Sequence, residues 1–184
     1  MKLHIKNMVC PRCIMAVQDI LRSAGFSVCS VSLGEAEIME ELTEKQRRKL
    51  LDALTDIGFE LLDDPRAQTV EQLRLCVIEW VRMKGERPKM SDYICSRLHK
   101  DYSALSKLFS EAFGETIERY AITHRVEYAK ELLCDNQLTN SEIAYMLGYS
   151  SPAHFSTQFK QITGMTPKMM REQKGSERIP LTDL

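Results

Sequence analysis

Two cysteines near the start of the chain have the spacing of a metal-binding or redox pair. Cys10 and Cys13 lie in the segment MVCPRC, directly after a short run that alternates polar and apolar residues. Two thiolates three residues apart at a helix N-terminus have a lowered pKa and can converge on one soft cation. The pair therefore predicts a site for Cu(I) or Zn(II), although a single C-x-x-C motif is weak evidence.

Two other interpretations fit the same spacing. A thioredoxin-like redox couple is disfavoured, because only one short strand precedes the cysteines and the surrounding unit is too small for that fold. A protein-interaction domain whose cysteines bind nothing is about as well supported as metal binding, because a fold does not dictate a function. His4 and Cys29 are potential extra ligands, but their places in predicted strands favour packing.

The elements around the cysteines follow the order β-α-β-β-α-β, which is typical of a ferredoxin-like α+β domain. Thr43 and Gln46 form a capping box for the second helix, and Thr69 and Gln72 are placed to start a third. The predicted elements are a strand at 2–7, a helix from Ile14 to Gly25, strands at 26–31 and 35–39, a helix ending at Gly58 and a strand at 59–62. We predict a domain at 1–64 and a linker at 65–69.

The first 62 residues resemble the heavy-metal-associated domain of copper chaperones and metal-transporting ATPases. The resemblance rests on MVCPRC at the first strand-to-helix turn, on the element order and on the ending IGFE at 57–60. It implies that Cys10 and Cys13 bind a soft ion and that Phe59 covers the site. Asn7 stands where that family usually has glycine.

A second set of polar residues belongs to a repeated helix pair in the other half of the chain. Shifting the sequence by fifty residues aligns ALSKLFSEAFGET at 104–116 with HFSTQFKQITGMT at 154–166. Each copy reads as a helix with an apolar face that ends at glycine. One copy alone fits a plain αα-hairpin equally well. The doubling favours two helix-turn-helix motifs.

The later copy has clear start and stop signals. Thr139 and Glu142 form a capping box, Gly148 interrupts, and Ser151 with Pro152 starts a second helix. A long helix at 116–133 joins the copies, and eighteen residues span roughly 27 Å. Two recognition helices held that far apart can approach the ~34 Å repeat of successive major-groove faces.

Residues 70–174 resemble the DNA-binding domain of AraC/XylS-family transcription regulators. The motifs that carry this resemblance are Ile143-Ala144, Leu147-Gly148-Tyr149, His154-Phe155-Ser156, Gln158-Phe159-Lys160, Gly164, Thr166-Pro167 and Arg171. It implies that the helices at 102–112 and 152–162 enter adjacent major grooves. The implied base-facing residues are Ser103, Ser106, Lys107, Ala153, His154 and Thr157, and the implied phosphate contacts are Ser151, Gln158 and Lys160.

Charge and composition limit the classes of function. The net charge of −1 over 184 residues predicts modest non-specific DNA affinity, although residues 150–174 hold four basic side chains against one acidic one. The chain has no run of eighteen apolar residues, so we expect a cytoplasmic protein without a membrane partner. No catalytic constellation is visible, so we do not expect an enzyme. Residues 175–184 read as a flexible tail.

The sequence therefore predicts a one-chain transcription regulator with a ferredoxin-like input domain and a double helix-turn-helix output domain. Double-stranded DNA is the expected partner, with RNA polymerase and a second copy of the chain as further candidates. Ion binding at the cysteines would change how the input domain packs on the helix at 69–84. The alternative is a metal carrier or scaffold whose helical domain docks a protein rather than DNA.

Overall fold

A computed structural model describes residues 1–172 of the chain, which divides into two compact units between Leu75 and Cys76. The predicted tail at 175–184 and the last two residues of the predicted DNA-binding domain lie outside the described residues.

The N-terminal unit is a four-stranded antiparallel sheet with two helices. The elements are β1 (Lys2–Lys6), α1 (Pro11–Ser23), β2 (Val28–Ser32), β3 (Glu35–Ile38), α2 (Glu44–Thr55) and β4 (Glu60–Leu62). The sheet order is β2-β3-β1-β4, so β1 lies between β3 and β4. Alternating residues of β1 are buried and share one core with the apolar sides of both helices, for example Ile5 with Val17 and Leu54. The predicted β-α-β-β-α-β order is therefore present.

The next helix, α3 (Pro65–Arg82), starts before the residues expected to cap it. The Asp64 carboxylate accepts the backbone N–H groups of Arg66 (3.2 Å) and Ala67 (3.1 Å), and Pro65 follows it where a missing N–H costs nothing. Thr69 instead donates its hydroxyl to the Pro65 carbonyl at 2.9 Å, as a residue inside the helix. The segment predicted as a linker, 65–69, is thus helical, and the unit boundary falls within α3.

Asn7 explains how the cysteine loop is formed without the usual glycine. Its φ is 73°, in the left-handed region, which asparagine tolerates better than other residues with a side chain. The Asn7 amide group donates to the Gly58 carbonyl at 2.9 Å, and its backbone N–H donates to Glu71 of α3 at 3.2 Å. The loop between β1 and α1 is therefore held by hydrogen bonds to Gly58 and to Glu71 of α3.

The C-terminal unit is all helical. After the end of α3 come α4 (Met90–Leu98), α5 (Tyr102–Phe113), α6 (Ile117–Asp135), α7 (Asn140–Met146), α8 (Pro152–Thr163) and α9 (Pro167–Glu172). The pairs α4–α5 and α7–α8 are the two predicted helix-turn-helix motifs, and α6 is the long helix between them. Within residues 1–172, no helix has the length and apolar character required to cross a bilayer.

Two of these helices start at the signals predicted from the sequence: Ser151 accepts a backbone N–H group at the start of α8, and Thr139 with Glu142 forms a complete capping box for α7. Asp101 and Thr116 accept backbone N–H groups at the starts of α5 and α6. Helix α9 was not predicted. Its cap is Thr166, whose hydroxyl oxygen accepts the Met169 N–H at 3.2 Å.

Each motif surrounds its own aromatic core. Phe155 and Phe159 of α8 are fully buried, with ring centroids 5.6 Å apart, beneath Ile143 and Leu147. In the first motif, Leu105 and Phe109 hold the equivalent places, and Phe109 meets Tyr120 edge to face at 5.2 Å. Ile162 follows the same helical spacing in the sequence, yet it is 42% exposed.

Candidate nucleic-acid interface and cysteine site

The outer side of α8 presents small and polar side chains. Ala153, His154, Thr157 and Lys160 are exposed, whereas Gln158 is half-buried at the edge of this face. The helix contains no aspartate or glutamate. The inward side of the same helix carries Phe155 and Phe159, which are buried, so the exposed surface of α8 is formed by the outer residues. This face has the hydrogen-bonding character required to contact base edges.

His154 is held in a defined position at the start of α8. Its backbone N–H donates to the Ser151 hydroxyl oxygen at 3.2 Å, so the predicted phosphate contact Ser151 is also the helix cap. The His154 ring lies edge-on to Tyr149, with centroids 5.5 Å apart, and its Nδ1 is 3.3 Å from the Ser150 hydroxyl. These contacts hold the imidazole of His154 in one position.

Two predicted contacts have part of their hydrogen-bonding capacity committed within the fold. The Thr157 hydroxyl donates to the Ala153 carbonyl at 3.0 Å, which leaves its oxygen lone pair and its methyl group for a ligand. A methyl group suits the C5-methyl of thymine. The buried Tyr149 hydroxyl donates to Gln158 Oε1 at 2.8 Å, so the amide N–H donors of Gln158 stay available. Burial raises the pKa of Tyr149, which keeps that hydroxyl protonated.

The corresponding face of α5 is more acidic. Ser103 and Lys107 are exposed and Ser106 is half-buried, but the Ser103 hydroxyl donates to the Asp101 carboxylate at 2.6 Å. That hydrogen bond and the capped N–H groups of Ala104 and Ser103 lower the pKa of Asp101. A carboxylate thus stands where the second copy has the neutral cap Ser151. Of the two faces, that of α8 is the better suited to a polyanion.

An arginine that the sequence did not single out fixes the turn before α8. Arg87 donates from Nη1 to the Leu147 carbonyl (2.9 Å) and from Nη2 to the Met146 carbonyl (2.8 Å), at the end of α7. Its Nε donates to the Met83 carbonyl at 3.0 Å. These bonds satisfy carbonyl groups that a helix end leaves without partners. Arg87 therefore positions the turn that leads to α8.

Arg171 fixes the chain at the other end of α7, where that helix begins. Its Nη2 donates to the Leu138 carbonyl (2.7 Å) and to Asn140 Oδ1 (2.9 Å), and its Nη1 donates to Asn136 Oδ1. The α6–α7 connection is thereby attached to α9. Arg171 belongs to the resemblance seen in the sequence, but this role depends on contacts more than 30 residues apart in the chain.

The two cysteines of the N-terminal unit lie side by side at the start of α1. Cys10 is the N-cap residue, Cys13 is in the first turn, and their Sγ atoms are 3.4 Å apart, both half-buried. Burial opposes ionisation of Cys10, but hydrogen bonds from Cys13 and Arg12 and the Arg12 charge outweigh it and lower the Cys10 pKa. Cys13 packs against the core that contains Phe59.

This geometry fits an ion that two thiolates can hold. In a tetrahedral site with Zn–S bonds of about 2.3 Å, sulfur atoms are about 3.8 Å apart, so the pair would open by only a few tenths of an ångström. Zn(II) takes four ligands, however, and residues 1–172 contain no group of three or more His, Cys, Asp or Glu side chains that could hold a metal. His4 and Cys29 do not complete such a group. The two thiolates match the preference of Cu(I) for soft ligands.

Comparison with known proteins bears on the C-terminal unit. The model of the family described as "Helix-turn-helix domain" matches residues 94–173. The transcriptional regulator from Chromobacterium violaceum described as an AraC-type DNA-binding domain-containing protein superposes with a TM-score of 0.53 at 23% identity, over 61% of this chain and 99% of that one. Residues 94–173 thus match a helix-turn-helix domain, and the C-terminal unit shares the fold of the Chromobacterium violaceum protein. The fold predicted for the C-terminal half is confirmed.

Other similarities agree with a helix-turn-helix domain. The C-terminal domain of AraT, a response regulator from Geobacillus stearothermophilus, has a TM-score of 0.52 at 22% identity, over 64% of this chain and 94% of that one. The HTH-type transcriptional regulator GlxA of Rhizobium meliloti (strain 1021) is 34% identical over 102 residues, which are 55% of this chain and 32% of GlxA. YtdP of Bacillus subtilis (strain 168), an uncharacterized HTH-type transcriptional regulator, is 30% identical over 100 residues, 13% of its length. The chain spans a third or less of these two curated relatives.

Proposed function

We propose that the protein is a sequence-specific DNA-binding transcription regulator. The observation that carries this proposal is the exposed polar face of α8, which lacks carboxylates and belongs to a helix-turn-helix domain. Ala153, His154 and Thr157 would contact base edges, while Ser151, Gln158 and Lys160 would contact phosphates. On α5, Ser103, Ser106 and Lys107 would contact base edges. The affinity of this helix for DNA would be lower, because Asp101 is adjacent.

The length of α6 supports binding to two neighbouring groove faces. Its 19 residues span roughly 28 Å. Together with the offset of each recognition helix from the ends of α6, this approaches the ~34 Å between major-groove faces on one side of a duplex. One chain would then contact two half-sites.

The test of this function starts with selection of bound duplexes from a random pool. We expect the His154→Ala/Thr157→Ala double variant to lose roughly tenfold or more of its preference for the selected duplex, because base contacts are worth about 1–3 kcal/mol each. Salt-dependent binding to unrelated duplexes should persist, because the phosphate contacts are intact. Fluorescence anisotropy at two salt concentrations measures both quantities.

Thr55→Ala is the matched control. Thr55 of α2 is exposed and donates its hydroxyl to the Leu51 carbonyl at 2.8 Å, as Thr157 does to Ala153, but it lies in the N-terminal unit. Its loss should leave the preference unchanged. A double variant that kept wild-type affinity and preference would show that α8 does not contact bases.

We further propose that the N-terminal unit is a ferredoxin-like domain that responds to a soft metal ion. The β-α-β-β-α-β order and the β2-β3-β1-β4 sheet support the fold assignment. Cys10 and Cys13 would hold the ion as thiolates. Since the backbone N–H of Asn7, in the loop before Cys10, donates to Glu71 of α3, a change in the cysteine loop reaches α3 within this unit. Such a change would shift the DNA-competent population.

Metal titration tests the second proposal. We expect the wild-type chain to bind about one Cu(I) per chain and the Cys10→Ser/Cys13→Ser variant to bind none, because the remaining cysteines are scattered. Cys29→Ser is the control, since Cys29 is exposed and outside the pair. Competition with a chromophoric Cu(I) chelator gives the stoichiometry. Equal stoichiometry in wild type and double variant would rule the site out.

Contact with RNA polymerase and formation of a homodimer stay predictions. Light scattering of the full chain, with and without duplex, measures the second of these directly.

A further inference from the structure

The turn between α7 and α8 contributes to the lining of a concave, positively charged pocket. Its volume is about 310 Å³, and all of its lining residues belong to the C-terminal unit. It is lined by Trp80 of α3, the loop between α3 and α4, Arg125 of α6, and the residues Tyr145, Met146, Leu147 and Gly148. The pocket therefore joins the segment that precedes the first helix-turn-helix motif to the turn of the second.

Three cations line this pocket. The guanidinium carbons of Arg87 and Arg125 lie 5.7 and 5.4 Å from the centre of the same Trp80 ring, and Lys89 is the third cation. Across residues 1–172, none of these three side chains forms an ion pair with a carboxylate. Burial lowers the pKa of Arg87, and the positive charge of Arg125 lowers it further, because like charges repel each other. An anion in the pocket would relieve that repulsion.

The pocket keeps donors for such an anion. Arg87 uses Nε and one N–H of each Nη for carbonyl groups, so two of its five N–H groups remain. The Lys89 ammonium makes no hydrogen bond among the described residues and is exposed. Arg125 is stacked against both Trp80 and Tyr149, with its Nε buried and without a hydrogen-bond partner. Guanidinium and ammonium donors in one concavity match the several oxygens of a phosphoryl group.

We propose that the pocket formed by Trp80, Arg87, Lys89 and Arg125 binds a phosphoryl group. Two sources offer this chemistry: a phosphate of the DNA backbone and a free phosphorylated compound. In either case the bound group bridges the α3–α4 loop and the α7–α8 turn, and so stabilises the position of α8. The proposal does not depend on sequence-specific recognition by α8, because none of the residues assigned to base contacts lines the pocket.

Trp80 makes the pocket directly observable, because it is the only tryptophan of the chain. The fluorescence emission of Trp80 is measured while the full chain is titrated with inorganic pyrophosphate at constant ionic strength. A separate titration uses a short duplex. We expect a saturable change that Lys89→Gln and Arg125→Gln each weaken by about fivefold or more, since each removes one charge-assisted contact. Lys84→Gln is the control, because Lys84 is exposed in the same region but does not line the pocket.

The two titrations separate the sources. Saturation by pyrophosphate that Lys89→Gln weakens and Lys84→Gln does not supports a free phosphorylated ligand, whether or not the protein binds DNA. A response to duplex alone, reduced in Lys89→Gln together with a salt slope lower by about one, supports a backbone phosphate. The proposal is overturned if neither ligand changes Trp80 emission, or if both pocket variants respond as wild type does. Lys89→Gln breaks no contact within the described fold, so unfolding does not obscure the result.

Discussion

Phe159→Ala is expected to lower the free energy of unfolding of the C-terminal unit by about 3–5 kcal/mol. Phe159 is fully buried, and its ring packs on Phe155 in a core that also contains Ile143 and Leu147. Truncation removes the buried ring and leaves a cavity that the rigid surroundings fill only in part. Urea denaturation followed by far-UV circular dichroism measures the change.

Ile162→Ala is the matched comparison on the same helix. Ile162 continues the apolar spacing of Phe155 and Phe159, but it is 42% exposed, so its loss should cost no more than about 1 kcal/mol. Equal losses in the two variants would mean that α8 is rotated relative to the described structure. In that event the residues assigned to the outer face would also be wrong.

Lys160→Glu is expected to weaken duplex binding roughly tenfold at moderate salt, whatever the DNA sequence, because a phosphate contact becomes a repulsion. Lys160 is exposed on the α8 face, which has no carboxylate of its own. The slope of log affinity against log salt should fall by about one. Anisotropy titrations over a series of salt concentrations provide both values.

Lys107→Glu makes the same charge change on α5 and should weaken binding only about threefold, because Asp101 already reduces the contribution of that helix. Lys45→Glu, at an exposed site on α2, controls for net charge alone. A larger effect at Lys107 than at Lys160 would reverse the assignment of α8 as the stronger contact.

Local sequence signals were sufficient for most helix starts. Capping requires residues only two or three positions apart, so Thr43 with Gln46 and Thr139 with Glu142 could be recognised without knowledge of the fold. The same logic failed at Thr69, because Asp64 followed by Pro65 is a stronger start signal five residues earlier. Thr69 therefore lies one turn inside the helix, where its hydroxyl donates to the Pro65 carbonyl.

The repeat contained more information than its apolar face. Thr116 and Thr166 are fifty residues apart, and the first of them starts α6. Extending the repeat by a few residues would have predicted α9 with Thr166 as its cap. Pro167 fits this start, because proline is favoured in the first turn of a helix.

The contacts that hold the recognition helix in place lie beyond the reach of local patterns. Arg87 contacts carbonyl groups 59 and 60 residues away, and Arg171 contacts the α6–α7 connection across 31 to 35 residues. A backbone carbonyl has no side-chain identity, so no residue type at positions 146 or 147 reveals that an arginine will bind there. Such partners become visible only when the helices are packed.

The unbroken course of α6 has a consequence for any operator that the chain would recognise. Because α6 joins the two helix-turn-helix motifs as one continuous helix instead of a flexible linker, the separation and the angular offset of α5 and α8 are set together. DNA turns once in about 10.5 base pairs, so inserting about five base pairs between half-sites moves one of them to the opposite side of the duplex. The spacing of the two half-sites around the duplex, and not only their base sequence, would thus determine which DNA sites one chain can occupy.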